Sequence, residues 1–244
     1  MNTLAKLTAT FSLALLSSYA MAGGSSHHTY PPAPTGTVYS FTSGSVGPES
    51  FGNSYTKLLD GVTLTATAWS TTGSGNTFQT AELEIYSGYG MGVCNRNEGV
   101  NCSDANSAHA LDNNGADDLI LFSFSGPVQL DSLSLMQFGG DSDLSVWAGT
   151  GSINPNGLTP AALGTATLIG GNYSNGTRSI DLGNVLGGNY TWLAVAARIG
   201  SDNDYAKLRS LTVDPVTAPI PEAETWAMML AGLGLVGFAV RRRA

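Results

Sequence analysis

The residues best equipped for chemistry lie together in Asp112-Asn113-Asn114-Gly115-Ala116-Asp117-Asp118, with Asp141 and Asp143 further along the chain. Closely spaced carboxylate and amide oxygens are the donors a hard cation such as Ca2+ needs, and extracellular modules bind it at roughly 0.1 to 1 mM. Asp112, Asn114, Asp117, Asp118, Asp141 and Asp143 are therefore the candidate calcium ligands. Their spacing is not that of an EF-hand loop, which places ligands at alternating positions and closes on a glutamate at the twelfth. The same residue types also populate tight turns, because their side chains bond nearby backbone and tolerate left-handed conformations. Calcium is the only cofactor the sequence raises, and plain turn chemistry is the alternative.

Other chemistries find less material. Trp69, Trp147 and Trp192, with Tyr86, Tyr89 or Tyr173, could form an aromatic face for stacking sugars. Each of these tryptophans sits in an alternating stretch, however, where core packing is the commoner fate. A hydrolase would need paired carboxylates or a Ser, His and Asp set. Of three histidines, His27 and His28 fall in a Pro-rich stretch near the N-terminus, which leaves His109 alone. No catalytic residue is assigned, and the expectation is a protein that is not an enzyme. A zinc site is excluded on the same ground, because the two cysteines have no second pair.

These residues must be held by strands. Val62 to Trp69, Ala81 to Tyr86, Leu119 to Phe124, Val128 to Leu135, Leu144 to Trp147, Arg178 to Leu182, Tyr190 to Ala197 and Leu208 to Val213 alternate apolar and polar residues. Alternation over four to eight residues, bounded by Gly, Asn or Asp, is the strand signal. Eight to ten strands without a convincing helix predict an all-β fold, a single β-sandwich of jelly-roll type over residues 37–214. A Pro-rich lead-in (23–36) and a linker (215–221) flank it.

The ends are of another kind. Residues 1–22 carry Lys6, then an apolar stretch, then small residues closing on Ala20-Met21-Ala22. That order is a secretory signal peptide, with Ala20 and Ala22 at the positions signal peptidase admits. Export puts Cys94 and Cys102, the only cysteines, in an oxidising compartment. A local disulfide is favoured over two free thiols, and closing so short a loop is worth roughly 2.5 kcal/mol. At the other end, residues 226–240 hold no charge and run straight into Arg241, Arg242 and Arg243. As a helix this segment would be about 22 Å long, short of the ~30 Å hydrocarbon core. It reads as a minimal transmembrane segment with Trp226 at one interface and the arginines at the cytoplasmic one.

The run Pro219-Ile220-Pro221-Glu222-Ala223-Glu224-Thr225-Trp226, the Gly-rich apolar span after it and the closing arginines resemble the PEP-CTERM sorting signal of Gram-negative bacteria. The resemblance covers residues 220–244. It implies recognition by a membrane-embedded exosortase, with Pro221 and Glu222 recognised, and transient anchoring before cleavage and delivery to the cell surface or medium. Ala223 stands where the pattern usually has proline. Gly90 to Gly149, carrying Cys94, Glu98, Cys102, His109, Asp112, Asp117, Asp141 and Asp143, resembles the ectodomain of a subfamily of exosortase-dependent surface proteins. That subfamily brings no established activity with it.

Charge narrows the partners. Between Gly23 and Pro219 there are 16 acidic and 6 basic residues, so the ectodomain carries about −10. Nucleic acid and anionic membranes need a basic surface and are disfavoured. The expectation is an exported surface or extracellular-matrix protein, associated with exopolysaccharide or biofilm. Its partners would be signal peptidase, an exosortase and, through the C-terminal helix, the membrane. The alternatives are a carbohydrate-binding module, with or without calcium, and, behind it, a secreted hydrolase.

Overall fold

The computed structural model describes residues 36–100, 109–137, 140–171 and 176–216, with residues 228–231, 233, 238, 241 and 242 of the C-terminal segment. The signal-peptide positions Ala20 and Ala22, the cysteine Cys102, and Pro221, Glu222, Trp226 and Arg243 lie outside the described residues.

The described chain is mostly strand. In order these are β1 (Thr37–Ser40), β2 (Ser54–Leu59), β3 (Val62–Gly73), β4 (Thr77–Thr80), β5 (Glu82–Tyr86), β6 (Gly90–Cys94), β7 (Leu111–Asp112), β8 (Asp118–Gln137), β9 (Leu144–Gly149), β10 (Thr167–Ile169), β11 (Gly176–Asp181), β12 (Asn189–Ala197) and β13 (Tyr205–Pro215). A 3-10 turn at Pro160–Leu163 and the one-turn α1 (Leu182–Val185) interrupt them. In β3 the period of two is plain: Val62, Leu64, Ala66 and Ala68 are buried while Thr63, Thr65 and Thr67 between them are half-exposed. β-branched threonines on the outer face suit a pleated surface. Thirteen strands exceed the eight to ten expected, because short strands such as β7 and β10 carry too few residues to show a period.

All thirteen strands join one hydrogen-bonded sheet, and every strand pair in it is antiparallel. Its organiser is β8, 20 residues long, which takes different partners along its length. The first half, Asp118 to Phe124, lies between β3 and β12. The second half, Val128 to Gln137, lies between β11 and β13. Ser125-Gly126-Pro127 separates the halves, and a proline in that place cannot donate to a ladder. The alternating stretches of the sequence, Leu119 to Phe124 and Val128 to Leu135, stop on either side of it. β12 follows the change with an irregularity between Tyr190 and Trp192.

Beyond β12 the first half continues to β9 and β10; beyond β13 the second continues to β6 and β5, with β1 and β7 also on β13. The main core gathers side chains from both halves, among them Leu64, Ile120, Phe122 and Val195 with Leu133, Leu208, Leu211 and Met91. Phe41, whose N–H donates to Arg209 O on the β13 side, stacks on Phe122 at 5.5 Å between ring centroids.

A second apolar cluster occupies the opposite face of the β12 and β8 pair: Leu119, Leu121, Trp192, Ala194 and Ala196, with Trp147, Phe78 and Leu163. The segment after β9 covers it and is stitched down by Phe78 N–H to Leu158 O and Trp147 Nε1 to Gly164 O, at 2.8 and 3.0 Å. These strands are thus buried on both faces, so a continuous apolar run serves them as well as alternation. Gly149 is needed where the indole of Trp192 crosses the backbone, since a β-carbon there would collide with the ring. Trp147 and Trp192 are buried and Trp69 is half-buried, so the three do not form the exposed aromatic face that sugar stacking would require.

Candidate functional site

The six candidate ligands do not converge on one point. They fall into three places, and each place treats a carboxylate differently.

Asp141 and Asp143 meet Asp204, a residue the sequence reading did not include, with carboxylate oxygens of all three within 4.8 Å of one another. The chain is drawn together there by a parallel bridge between Asp141 and Asp204. Asp204 accepts from Asp143 N–H at 2.8 Å and from Asn113 Nδ2 at 2.7 Å. Asp143 accepts from the N–H of Gly171 and from Arg198 Nη1, the latter at 2.8 Å. Arg178 donates to Gly170 O and Ser142 O at 2.6 and 3.0 Å. The Gly171 N–H, followed by Arg198, holds the Asp143 carboxyl below the usual carboxylate range, while burial raises that of Asp204. Both oxygens of Asp143 and of Asp204 already have donors, and two guanidinium groups supply the positive charge. The arrangement is a clasp between loops, with little left to offer an ion.

Asp117 stands apart, with Asp202, at a polar cleft of about 240 Å3 that Thr71, Asn76, Asn113 and Ser201 also line. Its N–H donates to Thr71 Oγ1 at 2.8 Å. Burial, with the Asp202 charge added, pushes the Asp117 carboxyl up to about 6.

Asp112 and Asp118 are sealed in, at 4 % and 0 % exposure. Asn114 contributes its backbone N–H to Asp112 Oδ1 at 2.9 Å, while its own side chain is in solvent. Asn95 Nδ2 donates to Asp118 Oδ1 at 3.4 Å, and Asn95 N–H to Glu98 Oε2 at 2.9 Å. Burial pushes Asp112 up to about 7, with the Glu98 charge adding and Lys207 opposing. Burial and then the Asp112 charge raise Asp118 well above its ordinary value. Here too the sequence reading missed members: Glu82, Asn95 and Lys207 are all buried in the folded chain. A scan for acids and amides would have raised Glu82, Asn95 and Asp204. Lys207 sits inside the alternating stretch of β13 and gave no signal.

Cys94 closes β6 in the interior, and there is no free thiol among the described residues. His109 has Nδ1 3.6 Å from Glu98 Oε1.

The C-terminal segment differs from all of this. Its described residues 228–231, 233, 238 and 241 are helical, and Met228, Met229, Leu230, Leu233 and Phe238 are all at least half exposed. Arg242 places its guanidinium 5.4 Å from the centroid of the Phe238 ring. Among the described residues no helix is long and apolar enough to cross a membrane. Residues 219–243 match the family model of the PEP-CTERM protein-sorting motif. The motif implies an extracellular bacterial protein sorted by an exosortase. No curated protein matches the chain.

Proposed function

We propose that the protein is a non-enzymatic component of the bacterial surface or extracellular matrix, held at the membrane by its C-terminal helix until an exosortase cuts near Pro221-Glu222. The observation that carries this reading is the sorting motif at residues 219–243, which begins four residues after the last strand of a β body ends at Pro215. In this reading the body is a β-sandwich whose layers are the two halves of the sheet, with β8 passing from one to the other. The main core shared by both halves and the Phe41 and Phe122 stack support it. The N-terminal signal peptide, a disulfide between Cys94 and Cys102 and an association with exopolysaccharide belong to the same proposal.

The test is the intact mass of the mature protein from cells with and without the exosortase. Loss of about the last 20 residues only where the enzyme is present supports the proposal. The same C-terminus in both overturns it.

The polar cleft around Asp117 favours a second reading, a carbohydrate-binding module that grips hydroxyls with Thr71, Asn76, Asn113 and Ser201. Retention of the protein on its own exopolysaccharide, abolished by Asn76→Ala with Asp117→Ala, would support it. Equal retention of wild type and variant would rule the cleft out.

A further inference from the structure

Asparagine stands directly before glycine three times, at Asn114-Gly115, Asn156-Gly157 and Asn175-Gly176. In such a pair the glycine nitrogen can reach the asparagine side chain, because glycine has no β-carbon to obstruct the approach. By sequence the three are alike. Asn175 lies outside the described residues, and the fold separates the other two.

Asn114-Gly115 and Asn156-Gly157 share almost everything. Both asparagines are exposed. Each donates its backbone N–H to a side-chain oxygen two residues earlier, Asn114 to Asp112 Oδ1 at 2.9 Å and Asn156 to Asn154 Oδ1 at 3.1 Å. Both glycines are left-handed, with φ of 81° and 78°, and a β-carbon at either would touch nothing within 4 Å. Room is therefore not what tells them apart. The glycine N–H is. That of Gly157 donates to Phe78 O at 2.8 Å, and Leu158 beside it is tied down as well, its O accepting from Phe78 N–H and its N–H donating to Pro155 O. Among the described residues the Gly115 N–H has no acceptor, and on an exposed residue it is left to water.

We propose that Asn114 is a self-modifying site, which loses its side-chain amide spontaneously in the folded protein, while the bond to Phe78 O protects Asn156. The Gly115 nitrogen attacks Asn114 Cγ. The N–Cγ bond forms, the Cγ–Nδ2 bond breaks, and Nδ2 leaves as ammonia with the proton of the Gly115 N–H. Water then opens the resulting cyclic imide, either at Cγ to give aspartate or at the backbone carbonyl to give isoaspartate, whose extra methylene lies in the main chain. At Asn156 the same attack must first break the Gly157 bond to Phe78 O, which slows it about fivefold or more. Asn114 stands between Asn113 and Gly115, which both line the polar cleft that holds Asp117 and Asp202. Either product therefore sets a further carboxylate beside two acids, and the cleft grows more negative as the protein ages. The reaction proceeds whether or not the tail is cut and whether or not the cleft holds a sugar, so its failure and that of the sorting proposal are separately visible.

The test incubates the purified full chain in mildly alkaline buffer, both folded and in guanidinium chloride. Each asparagine is followed over time by digestion at acidic pH and peptide mass spectrometry, with aspartate and isoaspartate separated by chromatography. In guanidinium chloride Asn114 and Asn156 should react at similar rates. In the folded chain Asn114 should react at least about fivefold faster than Asn156. Equal folded rates, or a faster Asn156, overturn the proposal, as does an Asn114 that reacts only in denaturant. Asn114→Gln should remove the acidic products from its peptide and leave the rate at Asn156 unchanged. Products that persist in that peptide would move the reaction to Asn113 and overturn the assignment.

Discussion

Asp143 and Asp112 are separated by 31 positions in the sequence and lie in the same acidic region of it, yet the fold moves their carboxyls in opposite directions. Asp143 meets a backbone N–H and a guanidinium, and is held ionised. Asp112 also meets a backbone N–H, but it is buried, with the Glu98 charge nearby, and it is pushed up. One hydrogen bond from the backbone does not settle the state of a carboxyl; how deeply it is buried counts first, and the sign of the next charge after that. At Asp143 the fold favours the ionised carboxyl, and in the sealed group the neutral one.

The comparison predicts a descending series of effects. Asp204→Ala is the most damaging, because it leaves the Asp143 N–H without its acceptor and removes one of the two acceptors of the buried Asn113 amide, the other being Arg198 O. A loss of roughly 3 kcal/mol in urea unfolding is expected, and a loss below about 1 kcal/mol would mean the clasp holds nothing together. Asp143→Asn should cost about 1 kcal/mol at neutral pH, since the amide keeps an acceptor for Gly171 but loses its attraction to Arg198. The Asp143 pKa is lower folded than unfolded, so its contribution is present above the ordinary carboxylate range and disappears as pH falls through the depressed value. The gap between wild type and Asp143→Asn should narrow on acidification; a gap that widened would contradict the assignment. Smallest of all, Asp118→Asn should lie within about 0.5 kcal/mol of wild type at neutral pH, because burial already pushes this carboxyl toward the neutral form that an amide imitates. Marked destabilisation there would erase the contrast between the two groups.

The strands that alternate were legible in the sequence, because one face of each is buried and the other is not. β6, Gly-Met-Gly-Val-Cys, was not, since all five residues are buried and no period survives. β8 was legible only as two pieces, because Gly126-Pro127 looks the same in sequence whether the chain turns away or bends and continues. The partition of the acids was hidden for a different reason. Asp118 faces Ser70 and Asp112 faces Tyr205 through ladder register, a long-range property that local spacing does not encode. The tail is the opposite case. Its Pro-Glu element, apolar span and arginines act through their order along the chain, so sequence alone was enough to recognise the motif.

The pairing of β1 with β13, Thr37 opposite Val213, has a consequence in time. A chain that crosses a membrane N-terminus first presents its opening strand long before the closing strand it must lie against, and β13 also supplies the partners of β6, β7 and the second half of β8. The body cannot complete itself until residue 215 has emerged. Only three residues then lie between that strand and the sorting motif, a reach of about 13 Å from Pro215 to residue 219 at full extension. The last act of folding and the emergence of the sorting motif thus almost coincide, and the exosortase that the motif implies meets a domain that has just closed.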